Sequence, residues 1–259
     1  MAVLNLNNIC AAPWGAPLLQ DISLELNAGD IHGVIGPNGA GKTSLLACIS
    51  GDIALSGGSI LLGAKPLQDW KPAERARSMA VLPQLSLLNF PYTVGEVVML
   101  GRIPHDTGVR VDRQIVSEVL SEMDIQQLRE RLYTQLSGGE KQRVQLARIF
   151  AQVWHPVGNR PRLILLDEPT TALDLSHQLQ LMQLIRRLAE QGCTIVMVVH
   201  DFNLLSGIAG QLCALSAGRQ VAQGSVVEVM TAAVFKEVFA VDVTITPHPG
   251  DGRPIVISS

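Results

Sequence analysis

The chain has 259 residues, of which 47% are hydrophobic and 17% charged. That length suits one large domain or one domain with a sizeable insert, and that composition excludes global disorder. A net charge of -3 leaves no basic footprint for nucleic acid, and no apolar run approaches the ~20 residues that a membrane span needs. The four cysteines, Cys10, Cys48, Cys193 and Cys213, form no Cys-x-x-Cys pair, which argues against zinc and for reduced cytosolic thiols. The N-terminus lacks a basic region followed by an apolar stretch, so no signal peptide is expected. The reading is a soluble or peripheral protein whose membrane role, if any, needs a partner.

Val3 to Ile9 and Leu18 to Leu26 alternate apolar and polar residues. They predict two antiparallel strands in a small β-layer beside a nucleotide site. Trp14, between them, could stack on a nucleotide base or simply cover the core. Ile31 to Ile35 reads as a short buried strand, and Ser44 to Ile49 as a helix. Between them Gly36-Pro37-Asn38-Gly39-Ala40-Gly41-Lys42-Thr43 matches Gly-x-x-x-x-Gly-Lys-[Ser/Thr], a phosphate-binding loop. Its glycines let the backbone curl close to an anion, and the following helix aims its positive end there. Gly36 to Ser44 are therefore the candidate phosphate-binding residues. Lys42 can reach the β- and γ-phosphates, and the Thr43 hydroxyl is placed to ligate Mg2+.

Ser59 to Leu62 predicts a strand, Pro72 to Arg77 a short helix, and Met79 to Gln84 a strand ending in glutamine. From Thr93 to about Trp154 the period becomes helical, with Ile115, Val116, Val119, Leu120 and Met123 on one face. Leu136-Ser137-Gly138-Gly139-Glu140 opens a helix over Lys141 to Val153. A helix cap at Ser137 with Glu140 three residues on is one account of that stretch. A second anion-binding element, from the Ser137 hydroxyl and the Gly138 and Gly139 amides, is another. Leu163 to Leu166 and Thr194 to Val199 are fully apolar, the mark of central parallel strands, with a helix over Ser176 to Gln191 between them. Gln211 to Leu215 and Arg219 to Gln223 predict a hairpin, and Ser225 to Phe239 short helices. The tail from Val241 to Ser259 alternates around Pro247 to Gly252.

Asp167 and Glu168 close the first central strand and His200 the second. In parallel sheets ligands bind outside strand C-termini, which is where the phosphate loop also falls. Asp167 would hold Mg2+, and Glu168 would polarise the water that attacks the γ-phosphate of ATP. The cap reading of Ser137 does not explain this order: Gln84 upstream, the acidic pair downstream, Asp174 after it, then His200.

With these motifs in this order, the chain resembles the ATPase subunits of ABC transporters over nearly its whole length. The resemblance implies an α/β fold: a phosphate-loop core with a mostly parallel central sheet, an N-terminal antiparallel β-layer and an inserted helical subdomain. It implies Gln84 as a contact to Mg2+ and water that senses a transmembrane partner, Asp174 in the loop after the acidic pair, and His200 on the γ-phosphate. It offers Trp14 as the nearest candidate for an adenine-stacking aromatic. It divides the chain into a core (1–90 and 155–240), a helical insert (91–154) and a tail (241–259). Val81 to Gln84, Thr93 to Val98 and Gly101 to His105 look like ATPases of iron-siderophore, cobalamin and haem importers. The Pro/Gly-rich stretch before Leu163 and the tail look like those of haem importers. Haem is thus the expected cargo, with a siderophore or cobalamin as the alternative. His105, His155, His177 and His248 are scattered, so haem ligation by this chain is rejected. The implied partners are a second copy, two polytopic permease subunits and, indirectly, a periplasmic binding protein, at the cytoplasmic face of the inner membrane. The permease groove is expected near Gln84 and Leu85 to His105. A soluble ABC ATPase would usually carry two cassettes or a coiled coil, and a phosphate-loop kinase would lack Ser137 to Gly139 and His200.

Overall fold

The computed structural model describes residues 2–84 and 90–258. Strands β1 (Ala2–Ala11), β2 (Leu19–Asn27) and β3 (Ile31–Ile35) lead into helix α1 (Lys42–Ser50), then β4 (Gly57–Leu62), β5 (Lys65–Pro66), α2 (Pro72–Ala76) and β6 (Met79–Leu82). Helices α3 (Val94–Met99), α4 (Val109–Glu122) and α5 (Gly138–Val153) come next. The chain then returns through β7 (Leu163–Asp167), α6 (Leu175–Glu190), β8 (Thr194–Val198) and α7 (Phe202–Ser206). It ends with β9 (Gln211–Ser216), β10 (Arg219–Ser225), α8 (Val226–Val229), α9 (Ala232–Phe239), β11 (Val243–Pro247) and β12 (Pro254–Ser258).

One sheet runs in the order β5-β4-β1-β2-β10-β9-β3-β8-β7-β6. Strands β9, β3, β8, β7 and β6 are parallel, while β5, β4, β1 and β2 form the antiparallel layer. The two regions join through β10, antiparallel to β9 and parallel to β2 at Arg219 and Gln20. The expected β-layer is thus an extension of the core sheet and not a separate sheet.

Every residue of β3, β7 and β8 is buried. The period of two explains how. Ile164, Leu166, Ile195 and Met197 face a core shared with the helices. Leu163, Leu165, Val196 and Val198 face a second core shared with α1, β1 and β2. Between residues 94 and 153 the regular elements are helical, as expected, with the Ile115 to Met123 stripe buried. Arg102, buried, ties this region together: its Nε meets Asp112 at 2.9 Å and its Nη1 donates to the Ala151 carbonyl at 2.7 Å.

Two boundaries and one added element differ from expectation for local reasons. Helix α5 starts at Gly138, ahead of the expected Lys141, because Ser137 and Glu140 form a reciprocal capping box that makes Ser137 the N-cap. Strand β6 stops at Leu82, since Pro83 has no N–H for the ladder. Helix α7 carries no apolar period long enough to read; it exists because the Asp201 carboxylate accepts the N–H groups of Asn203 and Leu204 at 2.9 and 3.0 Å. In the tail the alternating residues pair as an antiparallel hairpin, β11 with β12. Of the segment expected to meet a permease, residues 85–89 lie outside the described residues.

His32 sits within β3 at 1% exposure, and its Nε2 has no hydrogen-bond partner among the described residues. Burial lowers its pKa from 6.5 to about 4, against an upward pull from Asp30. Between those values the unfolded chain binds a proton that the folded chain refuses. Stability is therefore complete above pH 6.5 and falls as pH drops towards 4, by roughly 3 kcal/mol in total. His32→Leu should remove this part of the acid slope, read as the urea midpoint against pH. An unchanged slope would place its source elsewhere.

Candidate functional site

The loop between β3 and α1 closes on itself. Gly36 has φ 152°, and a Cβ there would lie 2.3 Å from the Leu215 carbonyl oxygen, so only glycine fits. The Lys42 side chain folds back, its Nζ donating to the carbonyls of Gly36 at 2.7 Å and Pro37 at 2.9 Å. Lys42 is only 7% exposed. Burial pulls its pKa down, and the carboxylates of Glu168 and Asp167 push it back up. An ammonium held this way is a desolvated, fixed charge aimed at whatever the loop binds.

The acidic pair at the end of β7 occupies two different environments. Asp167 is 3% exposed and, among the described residues, neither carboxylate oxygen has a hydrogen-bond partner of good geometry. Burial raises its pKa, Glu168 adds to the rise, and the Thr43 hydroxyl, Lys42 and His200 oppose it. Orphaned buried oxygens beside a hydroxyl are a donor set that suits a hard divalent cation, so the residues present fit Mg2+. Glu168 instead leaves the strand in the left-handed region, φ 51°, with its amide donating to the Val198 carbonyl at 3.0 Å. A non-glycine residue there is strained. The turn swings its carboxylate off the strand axis. Its Oε1 accepts from Gln84 Nε2 at 3.2 Å and lies 2.7 Å from His200 Nε2.

These groups surround one cavity of about 510 Å3. Asn38, Gly39, Gly41, Lys42, Thr43 and Ser44 supply one side, and Gln84, Glu168 and His200 the other, with Leu18 at the edge. Gly36, Pro37, Ala40 and Asp167 are not in the wall itself. Trp14 is not there either: it is 80% exposed, and Leu18 occupies the wall from the same loop. No local pattern marked Leu18 for that place, because it reads as the first residue of β2.

Ser137, Gly138, Gly139 and Asp174 also lie off this wall. Ser137 caps α5, its Oγ accepting from the Glu140 amide at 3.3 Å. Asp174 caps α6, accepting from the His177 amide at 2.9 Å and the Ser176 hydroxyl at 2.8 Å. Those bonds, with the His177 ring, hold its pKa down to about 2. The two caps belong to one surface. A Cβ on Gly139 would fall 2.8 Å from the Ala172 carbonyl oxygen, and Gln142 donates to the Pro169 carbonyl at 3.1 Å. The scattered histidines bind locally: His105 to the Gln152 carbonyl, His155 to Glu118 and His248 to Asp251.

The family model described as ABC transporter matches residues 19–171. The chain is 44% identical over 241 residues to the hemin import ATP-binding protein HmuV of Pseudomonas entomophila, covering 93% of this chain and 94% of that one. It is 42% identical to the protein of that name from Pseudomonas fluorescens, over 99% of this chain and all of that one. Among solved structures, a metal-chelate type ABC transporter in an inward-facing conformation superposes with a TM-score of 0.80 at 27% identity, covering 99% of this chain and 96% of that chain. An ATP-binding cassette of an ABC transporter in its ADP conformation shares the fold, with a TM-score of 0.78 at 22% identity over 93% of this chain and 98% of that one. With the phosphate loop, Glu168 and His200 gathered on one cavity and these likenesses over most of its length, the chain belongs to the ABC transporter family, as an ATP-hydrolysing subunit.

Proposed function

We propose that this chain is the energy-coupling ATPase of a bacterial inner-membrane importer, and that the cargo is haem. The observation that carries the catalytic part is the meeting of Gln84 and His200 on one oxygen of Glu168, at the mouth of the phosphate-loop cavity. The cargo rests on the relatives named hemin import ATP-binding protein, matched over essentially their full length. The 27% identity to a metal-chelate type transporter favours a second reading, import of an iron-siderophore or cobalamin.

In this reading Lys42 and the amides from Gly39 to Ser44 hold the β- and γ-phosphates of ATP. Thr43 and Asp167, with Gln84, would hold Mg2+, which neutralises phosphate charge when bound. Glu168 accepts a proton from the attacking water, Gln84 orients that water, and His200 steadies charge on the terminal phosphate. Both neighbours of Glu168 come from other strand ends, so a shift of either changes how the base points.

The position of Ser137 to Gly139 off their own chain's cavity supports a dimer. Each copy would present this helix N-terminus to the phosphate loop of the other, so that phosphate charge bridges the copies and hydrolysis releases them. Two permease subunits would receive that motion near Gln84 to His105. Exposed Phe90, Tyr92 and Ile103 there offer apolar contact area, and residues 85–89 of that stretch lie outside the described residues. Residues 91–154 would act as the inserted subdomain moved against the core. No helix of the described residues is long and apolar enough to cross a membrane, in keeping with a peripheral place on its cytoplasmic face.

Glu168→Gln should leave ATP bound in a closed dimer and slow hydrolysis by on the order of 10²–10⁴. A native turnover rate would remove Glu168 as the base. Ser137→Ala and Lys42→Ala should each be inactive alone, yet mixing them should restore activity, because a mixed dimer contains one intact composite site. A mixed dimer that forms without activity would count against the shared site. For the cargo, the transporter reconstituted with its permease and binding protein should be stimulated by haem and not by cobalamin or a ferric siderophore. The opposite pattern would decide for the second reading.

A further inference from the structure

We propose that Asn203 is a positioning residue for His200, and that the β11–β12 hairpin is the strap through which it acts. This rests on the proposed contact of His200 with the γ-phosphate.

His200 has little of its own to hold it. Its side chain is 54% exposed, and among the described residues its hydrogen bond is the one to Glu168. The next element along the chain is α7, five residues long. A helix of that length does not persist on internal hydrogen bonds. Asp201 caps it and so locks the backbone just after His200 to its first turn. Where α7 rests, His200 rests.

The hairpin fixes that resting place at two points through one side chain. Asn203 Nδ2 donates to the Val256 carbonyl at 3.1 Å, and Asn203 Oδ1 accepts from the Val256 amide at 2.8 Å. Val256 faces Ile245 within the hairpin. Since its N–H and C=O both go to Asn203, they point outward from the hairpin, and the Asn203 amide completes the free edge of β12 as a neighbouring strand would. Apolar packing contributes as well: Leu205 of α7 is buried in the core, and Phe202, Val243, Ile245 and Val256 pack against that same core. Phe202 packs edge-on against Phe235 and Phe239 of α9, with ring centroids 4.8 and 5.1 Å apart. Between these rings and the hairpin lies a cavity of about 790 Å3, lined by Phe202, Phe235, Phe239, Val243 and Val256, with His200 at one end. Arg253 reaches the far end of α7 at Gly207. The amide clasp is the directional, polar tie between α7 and the hairpin, three residues from His200. Asn203 is exposed, so truncating it opens no core cavity.

The test is kinetic, on the assembled transporter. Asn203→Ala should lower kcat about tenfold, because displacing a catalytic group by even 1 Å costs up to about 10²-fold. Nucleotide affinity should change by less than about twofold, since Lys42 and its loop are untouched. Asn203→Asp keeps the acceptor and sets a carboxylate against the Val256 carbonyl, so it should do no better than alanine. Val256→Pro removes the amide donor without taking a bond from the hairpin, and should lower kcat alone and add nothing to Asn203→Ala. It also supplies a second route should the first variant misfold. In a His200→Ala background, Asn203→Ala should have no further effect. Multiplying losses in that background, or native kcat for Asn203→Ala where His200→Ala is impaired, would overturn the inference while leaving the role of His200 standing. Native kcat for His200→Ala would instead remove that role, and this inference with it.

Discussion

Strands β3, β7 and β8 are buried on both faces, which is possible only because they are apolar at nearly every position. Charge is thereby excluded along their length and displaced to where they stop. All three are parallel, so they stop on one side of the sheet. The phosphate loop, the acidic pair and His200 are consecutive with those ends. The chemistry of the site comes from that constraint: three charged or polar chain segments, far apart in sequence, are delivered to one cavity by the apolar strands behind them.

At and behind the cavity wall, burial sets what each group can do. Lys42 and Asp167 are both nearly out of contact with water, and each is displaced from its ordinary pKa by that burial before any neighbour acts. Their opposite charges then pull each other back. This arrangement is costly unless something shares it, and an anion on the loop with a cation on Asp167 would do so. Glu168 avoids the same fate by leaving the strand through a strained turn, which puts its carboxylate among Gln84, His200 and Thr171. Adjacent carboxylates thus have different environments.

Caps recur wherever the chain changes direction for function. Ser137, Asp174 and Asp201 each cap a helix, and each lies in a segment of the candidate site or beside it. A cap fixes the entry angle of a helix and leaves further backbone N–H groups pointing outward. At Ser137 and Asp174 the result is one surface, with Gly139 against Ala172, held apart from the cavity. At Asp201 it couples the position of His200 to α7, and through Asn203 to the C-terminal hairpin.

By itself the sequence determined the fold class, the family, and the candidate residues of the phosphate loop, acidic pair and strand ends. These signals are local: burial on two faces demands unbroken apolar runs, and close approach of backbone to an anion demands glycine at set spacings. Gln84 and His200 were legible only through their order along a resembling chain, since a lone glutamine or histidine at a strand end carries no mark of its own. Trp14 was offered by proximity in sequence; the fold leaves it exposed and puts Leu18, from the same loop, in the wall. Tertiary structure alone decided the merging of the antiparallel layer with the core sheet through Arg219 and Gln20, the packing of Gly139 on Ala172, and the clasp of Asn203 on Val256. Each of these joins residues far apart in the chain at one place. Such contacts leave no periodicity to read, because they depend on where whole elements come to rest and not on the pattern within any one of them.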